Sequence, residues 1–227
     1  MIIPVLDIKD GLAVSGKSGN REEYQPLKTV FHSSSDPLKI SKSLKKAGAS
    51  KVYVADLDAI EGIGSNRDMV GEINRFLPVM LDCGASDLDS VSEALQVANN
   101  VIVATETLKN LADLDEIFFK VNREQVTISI DVLNNKILSK HLELDFKILK
   151  DCLEKLKPSM VIILDISNVG TESGINWQLM DYFNGLESSL ILGGGITRED
   201  LPKLSMYGVD NVLVGTALHQ GKIEPNF

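Results

Sequence analysis

Five aspartates stand at one kind of place in this chain. Asp7, Asp56, Asp82, Asp131 and Asp165 each close a short run of apolar, mostly β-branched residues. A carboxylate there lowers strand propensity and is costly to desolvate unless it is paired or hydrogen-bonded. One use is to cap the next helix or hold loop backbone, and Asp56, Asp82 and Asp165 suit that use. Asp7 and Asp131 suit another. Two facing carboxyl groups can serve as general base and general acid when their surroundings push their pKa values apart. A second motif is Leu192-Gly193-Gly194-Gly195-Ile196-Thr197, followed by Val214-Gly215-Thr216-Ala217. Consecutive glycines let backbone approach a ligand closely, and Gly215-Thr216 offers amide donors at a helix start. Gly194, Gly195, Gly215 and Thr216 together predict a phosphate site, and the pairing of the two motifs favours that over tight turns alone.

The elements that must position these residues follow from periodicity. Apolar runs at 2–6, 51–55, 79–81, 101–104, 126–130, 160–164, 190–192 and 211–214 are continuous rather than alternating, as in strands buried on both faces. Amphipathic stretches such as 36–47 and 145–156 lie between them. Asp36-Pro37 reads as a helix start and Gly48 as a helix stop. Eight strand-helix units predict an α/β fold, a single (β/α)₈ TIM barrel spanning 1–227 as one domain. The first run leads into Asp7-Ile8-Lys9-Asp10-Gly11 rather than a glycine-rich loop, which argues against an open doubly wound sheet. In a barrel the five aspartates gather at the C-terminal mouth, and the glycine motifs follow strands seven and eight, the usual phosphate position.

An internal repeat predicts two related half-barrels. Asn100-Val101-Ile102-Val103-Ala104-Thr105 matches Asn211-Val212-Leu213-Val214-Gly215-Thr216 at an offset of 111 residues (Thr105 to Thr216), and 78–85 aligns with 189–196 at the same offset. Asp56 then falls near Asp165, and Asp7 near Asp131. The symmetric place to the glycine motifs is eroded, with Asp82-Cys83-Gly84 and Ala104-Thr105-Glu106 in their stead. Asp82 and Glu106 would repel a phosphate, so one phosphate site is expected rather than two. Residues 12–35 form a long connection, expected to be a lid without secondary structure. Its Lys17 and Arg21 either meet an anionic substrate or are solvated surface charges. His32 is expected to be a loop residue, and Trp177 to pack.

Bulk properties limit the function. A net charge of −9 without a basic run argues against nucleic-acid binding. Two distant cysteines, Cys83 and Cys152, argue against a disulfide scaffold or a cysteine-built zinc site. The N-terminus has no signal-peptide pattern and no run is long enough to span a membrane, so a cytoplasmic protein is expected. Oligomeric state is left open.

The motifs IPVLDIKDG, VADLDAIEG, SIDVLNNKI, LDISNVGTESG, LILGGGITREDL and DNVLVGTALHQGKI, in this order, resemble the histidine-biosynthesis barrel enzymes. These are the phosphoribosylformimino-5-aminoimidazole carboxamide ribotide isomerase and the cyclase subunit of imidazole glycerol phosphate synthase. The resemblance implies acid/base work for Asp7, the base, and Asp131, the acid, and it maps the family's threonine after strand six onto Thr171, a third expected catalytic residue. It also implies a substrate with a phosphate at each end, bound by glycine loops after strands three and seven. This chain departs at Asp82-Cys83-Gly84-Ala85, at Asn168-Val169 in place of a charged pair, and in lacking an aromatic residue near His141-Leu142. The implied activity is a phosphate-dependent aldose–ketose (Amadori) isomerisation that needs no metal or organic cofactor. The alternatives are a lyase or cyclase on a mono-phosphorylated metabolite, and a non-catalytic relative that kept the phosphate site.

Overall fold

The computed structural model describes residues 1–16, 18–183, 185–209 and 211–227. Eight parallel strands close into a barrel: β1 (Ile2–Lys9), β2 (Val52–Asp56), β3 (Val79–Asp82), β4 (Asn100–Ala104), β5 (Val126–Leu133), β6 (Met160–Asp165), β7 (Ser189–Gly193) and β8 (Asn211–Val214). Each pairs in parallel with the next, and β8 returns to β1 with Ile2 opposite Val212 and Pro4 opposite Val214. The TIM barrel expected from the apolar runs is the fold observed. The runs are continuous because both faces of every strand are covered. One face packs on the helices through residues such as Leu6, Val54, Leu81, Val103, Ile130 and Ile163. The other fills the barrel with Ile3, Tyr53, Met80, Ile102, Ile162, Ile191 and Leu213.

Helix starts follow local capping chemistry. Asp36 accepts hydrogen bonds from the Leu38 and Lys39 amides at 2.9 and 3.1 Å and starts the helix Pro37–Lys46. Asp145 does the same through Ile148, at 2.7 Å, for Phe146–Leu156.

The connection over residues 12–35 differs from the structureless lid expected. Leu12–Ser15 turns back antiparallel on β1, with Asp7 opposite Val14, and Gln25–Pro26 pairs on its outer edge. The cause is local. Asp10 (φ 51°) and Gly11 (φ 74°) make a two-residue turn whose positive φ angles match the twist of a hairpin. Asn134 (φ 52°) and Asn135 (φ 59°) likewise return β5 into Lys136–Ile137. Both hairpins draw their strands on beyond the apolar runs, so Asp7 and Asp131 lie inside strands rather than just past them.

Candidate functional site at the barrel mouth

Strand alternation decides which aspartates enter the barrel. In β1 the inward face carries Ile3, Val5 and Asp7; in β5 it carries Thr127, Ser129 and Asp131. Three strands lie between β1 and β5 in either direction round the ring, so the two carboxyl groups enter one cavity from opposite walls. Asp82, at the end of β3, enters midway between them. The cavity measures about 350 Å³, and its lining includes Asp7, Asp82, Asp131, Glu106, Arg21 and Tyr53.

Each carboxyl group has a different set of partners. Asp131 accepts from the Ser129 hydroxyl at 2.8 Å, and its amide donates to the Thr105 hydroxyl at 3.0 Å. Asp82 accepts from the Gly84 amide at 3.2 Å and from the Tyr53 hydroxyl at 3.1 Å. Burial, reinforced by the charge of Asp82 and only partly opposed by the Ser129 bond, pushes Asp131 up to about 8. Burial also raises Asp7 to about 6, with Arg21 pulling it down and Asp82 pushing it up. Asp82 likewise rises to about 6, through burial and the Glu106 charge, against its Gly84 and Tyr53 bonds. At neutral pH Asp131 therefore holds its proton while Asp7 and Asp82 are mainly ionised.

Arg21 reaches over the mouth from the first connection and meets Glu106 through two hydrogen bonds of 3.0 and 2.8 Å. Lys140 adds an ion pair at 2.9 Å. Burial pushes the Glu106 carboxyl up, but these two cations outweigh it and hold it below the usual carboxylate range. Lys17 lies outside the described residues. Beside it, the Ser18 amide donates to the Val169 carbonyl at 2.9 Å and the Ser18 hydroxyl to the Ser167 carbonyl at 2.9 Å, tying the first connection to the loop after β6 across the mouth.

Glycine is needed where the opposite wall is built. Gly194 (φ 101°) lies so close to Asp165 that a Cβ there would overlap the Asp165 carbonyl oxygen. A Cβ on Gly195 (φ 69°) would come within 3.0 Å of both Asn168 and the Gly174 carbonyl oxygen. The loops after β6 and β7 are further joined where the Gly174 amide donates to the Gly195 carbonyl at 2.9 Å. Gly215 and Thr216 open the short turn Thr216–His219 beside them, and all four residues line the cavity.

The remaining residues are held by local hydrogen bonds and ring contacts. The Thr171 hydroxyl donates to the Asn168 carbonyl at 2.8 Å and accepts from the Ser173 hydroxyl at 2.7 Å; its neighbours Gly170 and Glu172 line the cavity. Asp56 caps Leu57–Glu61 and accepts the Asn66 amide at 2.7 Å, while Asp165 accepts the Asn168 side chain at 2.9 Å. The His32 ring takes part in a local turn with Ser34, and Trp177 stacks on Tyr207 with centroids 4.4 Å apart. Two cavity residues escaped the sequence reading. Tyr53 was legible in principle, because alternation along β2 puts it on the same face as Ala55. His219 was not. Its Nε2 donates to the Val5 carbonyl at 2.8 Å, its Nδ1 takes the Thr29 hydroxyl at 2.9 Å, and burial lowers its pKa. That neutral ring is a brace between β1, the first connection and the turn after β8.

Comparison with known proteins agrees with this architecture. A family model described as "Histidine biosynthesis protein" matches residues 1–224. An uncharacterized protein of Methanocaldococcus jannaschii is 39% identical over 228 residues, covering 98% of this chain and 95% of its own length. An imidazole-4-carboxamide isomerase of Dictyoglomus turgidum, whose name specifies two phosphoribosyl groups, is 30% identical, covering 98% of this chain and 95% of its own. The isomerase of that name from Methanosphaera stadtmanae is 28% identical with the same coverage. With its barrel closed and its family model matched almost end to end, the chain belongs to the histidine biosynthesis protein family.

Proposed function

We propose that the chain is an aldose–ketose isomerase of the Amadori type, acting in the cytoplasm on a small metabolite anchored by one phosphate. The observation that carries this reading is the split between two carboxyl groups on opposite walls, Asp131 at about 8 and Asp7 at about 6. The substrate is a cyclic glycosylamine. Asp131 donates its proton to the ring oxygen as the bond from that oxygen to C1 breaks, leaving a protonated imine. Asp7 then removes the proton from C2, giving an enaminol that tautomerises to the aminoketose. The phosphate rests on the amides around Gly194, Gly195, Gly215 and Thr216, which fixes C1 and C2 between the carboxyl groups. Thr171 holds the loop after β6 against that wall. Arg21, from the first connection, completes the cover.

A second reading, a lyase or cyclase on a mono-phosphorylated compound, is favoured by Asp82 and Glu106 standing where a second phosphate would sit. The related isomerases are named for two phosphoribosyl groups. The test is a kinetic comparison of that two-phosphate ribotide with a mono-phosphorylated glycosylamine, following ketose formation. Conversion of the mono-phosphate is expected to win. A kcat/KM for the ribotide of about 10⁴ M⁻¹s⁻¹ or more, the ordinary range for an enzyme on its own substrate, would overturn the one-phosphate reading. Ring cleavage or closure without ketose would favour the lyase or cyclase, and binding without any turnover would favour a non-catalytic relative.

A further inference from the structure

The cavity is electrically divided. On the β7 and β8 side its wall is glycine backbone and the Thr216 turn, and the nearby Glu172 is neutralised by Lys222 at 2.7 Å. On the other side stand Asp7, Asp82, Asp131 and Glu106. Among the described residues the cation on that wall is Arg21, and its guanidinium is already engaged by Glu106 through two bonds. The lining His219 is neutral, with both ring nitrogens occupied. Three carboxyl groups are thus left with two hydroxyl donors, Tyr53 and Ser129, and two backbone amides, Gly84 and Glu106.

We propose that the end of the substrate remote from the phosphate carries an organic cation, an ammonium or amidinium group, seated on Asp82 between the walls that carry Asp7 and Asp131. This rests on the phosphate-anchored reading above and names the chemical class that reading leaves open. Asp82 is the anchor, because Tyr53 and Gly84 orient it while leaving lone pairs for a charged donor. A second phosphate would meet carboxylates there, and a neutral sugar would leave the charge uncompensated. Among the described residues no three acidic, histidine or cysteine side chains are grouped to hold a metal ion. An organic cation, which aims N–H donors at separate carboxylates, fits this wall better than a bare metal ion. The raised pKa values of all three aspartates follow from burial and from their acidic neighbours, which the Arg21 charge offsets only in part at Asp7 and Asp82.

The experiment is calorimetric titration of the full chain with a chemical ruler. A graded series of ω-aminoalkyl phosphates is compared with ω-hydroxyalkyl phosphates of equal length, with inorganic phosphate as the reference for the phosphate wall. At neutral pH one amine length is expected to bind about tenfold or more tighter than its hydroxyl twin, the effect of one charge-assisted contact of about 1.4 kcal/mol. Asp82→Asn should erase that difference while inorganic phosphate binds as before, which also shows that the variant is folded. If inorganic phosphate binds but no amine outperforms its twin, the cation proposal is overturned and the phosphate site stands. If an amine advantage survives in Asp82→Asn, Asp82 is not the anchor. If neither inorganic phosphate nor any member of the series binds, the phosphate reading fails and takes this proposal with it.

Discussion

Arg21 and Glu106, distant in sequence, meet in a two-bond ion pair of 3.0 and 2.8 Å over the barrel mouth, with side chains 22% and 10% exposed. The pair converts a residue expected to repel phosphate into the anchor of the first connection, and it spends the one described cation on the cavity wall. The arrangement is therefore both a latch and a filter for ligand charge.

Glu106→Gln should loosen the latch and free Arg21 for an anion. Affinity for a two-phosphate ligand is expected to rise several-fold relative to the parent chain, measured by calorimetry. Arg21→Ala should instead lower stability by about 1–3 kcal/mol, the usual cost of leaving a charged hydrogen-bonding partner partly unpaired. An unchanged two-phosphate affinity in Glu106→Gln would mean that Asp82 alone sets the exclusion.

Asp7→Asn and Asp131→Asn should each reduce turnover of the true substrate by roughly 10²–10⁴-fold, the range for loss of a general acid or base, with KM changing far less. The parent rate should follow a bell in pH, rising as Asp7 loses its proton near 6 and falling as Asp131 loses its own near 8. Near-normal activity in both variants would remove these aspartates from the chemistry.

Asp131 should also shape stability against pH. Its folded pKa, about 8, lies above the ordinary 3.8. The folded state therefore holds the proton more tightly than the unfolded state, and this contribution is complete below the unfolded value and lost as pH rises through about 8. Asp131→Asn, which never ionises, should melt higher than the parent at alkaline pH. The gap should close as the pH falls toward the ordinary carboxylate range. Melting curves across that window decide it, and a pH-independent gap would contradict the assignment.

Gly194→Ala tests the opposite wall. The new Cβ must overlap the Asp165 carbonyl, at a φ of 101° that L side chains rarely adopt. A lower melting temperature and loss of stabilisation by added inorganic phosphate are expected together. Retained phosphate stabilisation would show that the anion rests elsewhere.

Much of this molecule is written locally. The apolar runs become β1–β8 because strands buried on both faces need no polar alternation, and Asp36 and Asp145 start helices through their own side chains. The glycine motif after β7 is legible because no other residue adopts those angles so near neighbouring backbone. The Asp10-Gly11 turn was equally local, though its consequence, Asp7 drawn into the strand, depends on Leu12–Ser15 finding β1. Other features are not local. Whether an aspartate holds a proton depends on burial and on charges carried in by other strands, so nothing in the spacing of Asp7, Asp82 and Asp131 sets them near 6, 6 and 8. Glu106 reads as a repulsive charge until the fold brings Arg21 and Lys140 to it. The sequence by itself determined the barrel, its glycine wall and which aspartates stand at strand ends. Only the tertiary structure decided which of them share one cavity and which charges remain unpaired, because electrostatic energy depends on distance and dielectric in space rather than on separation along the chain.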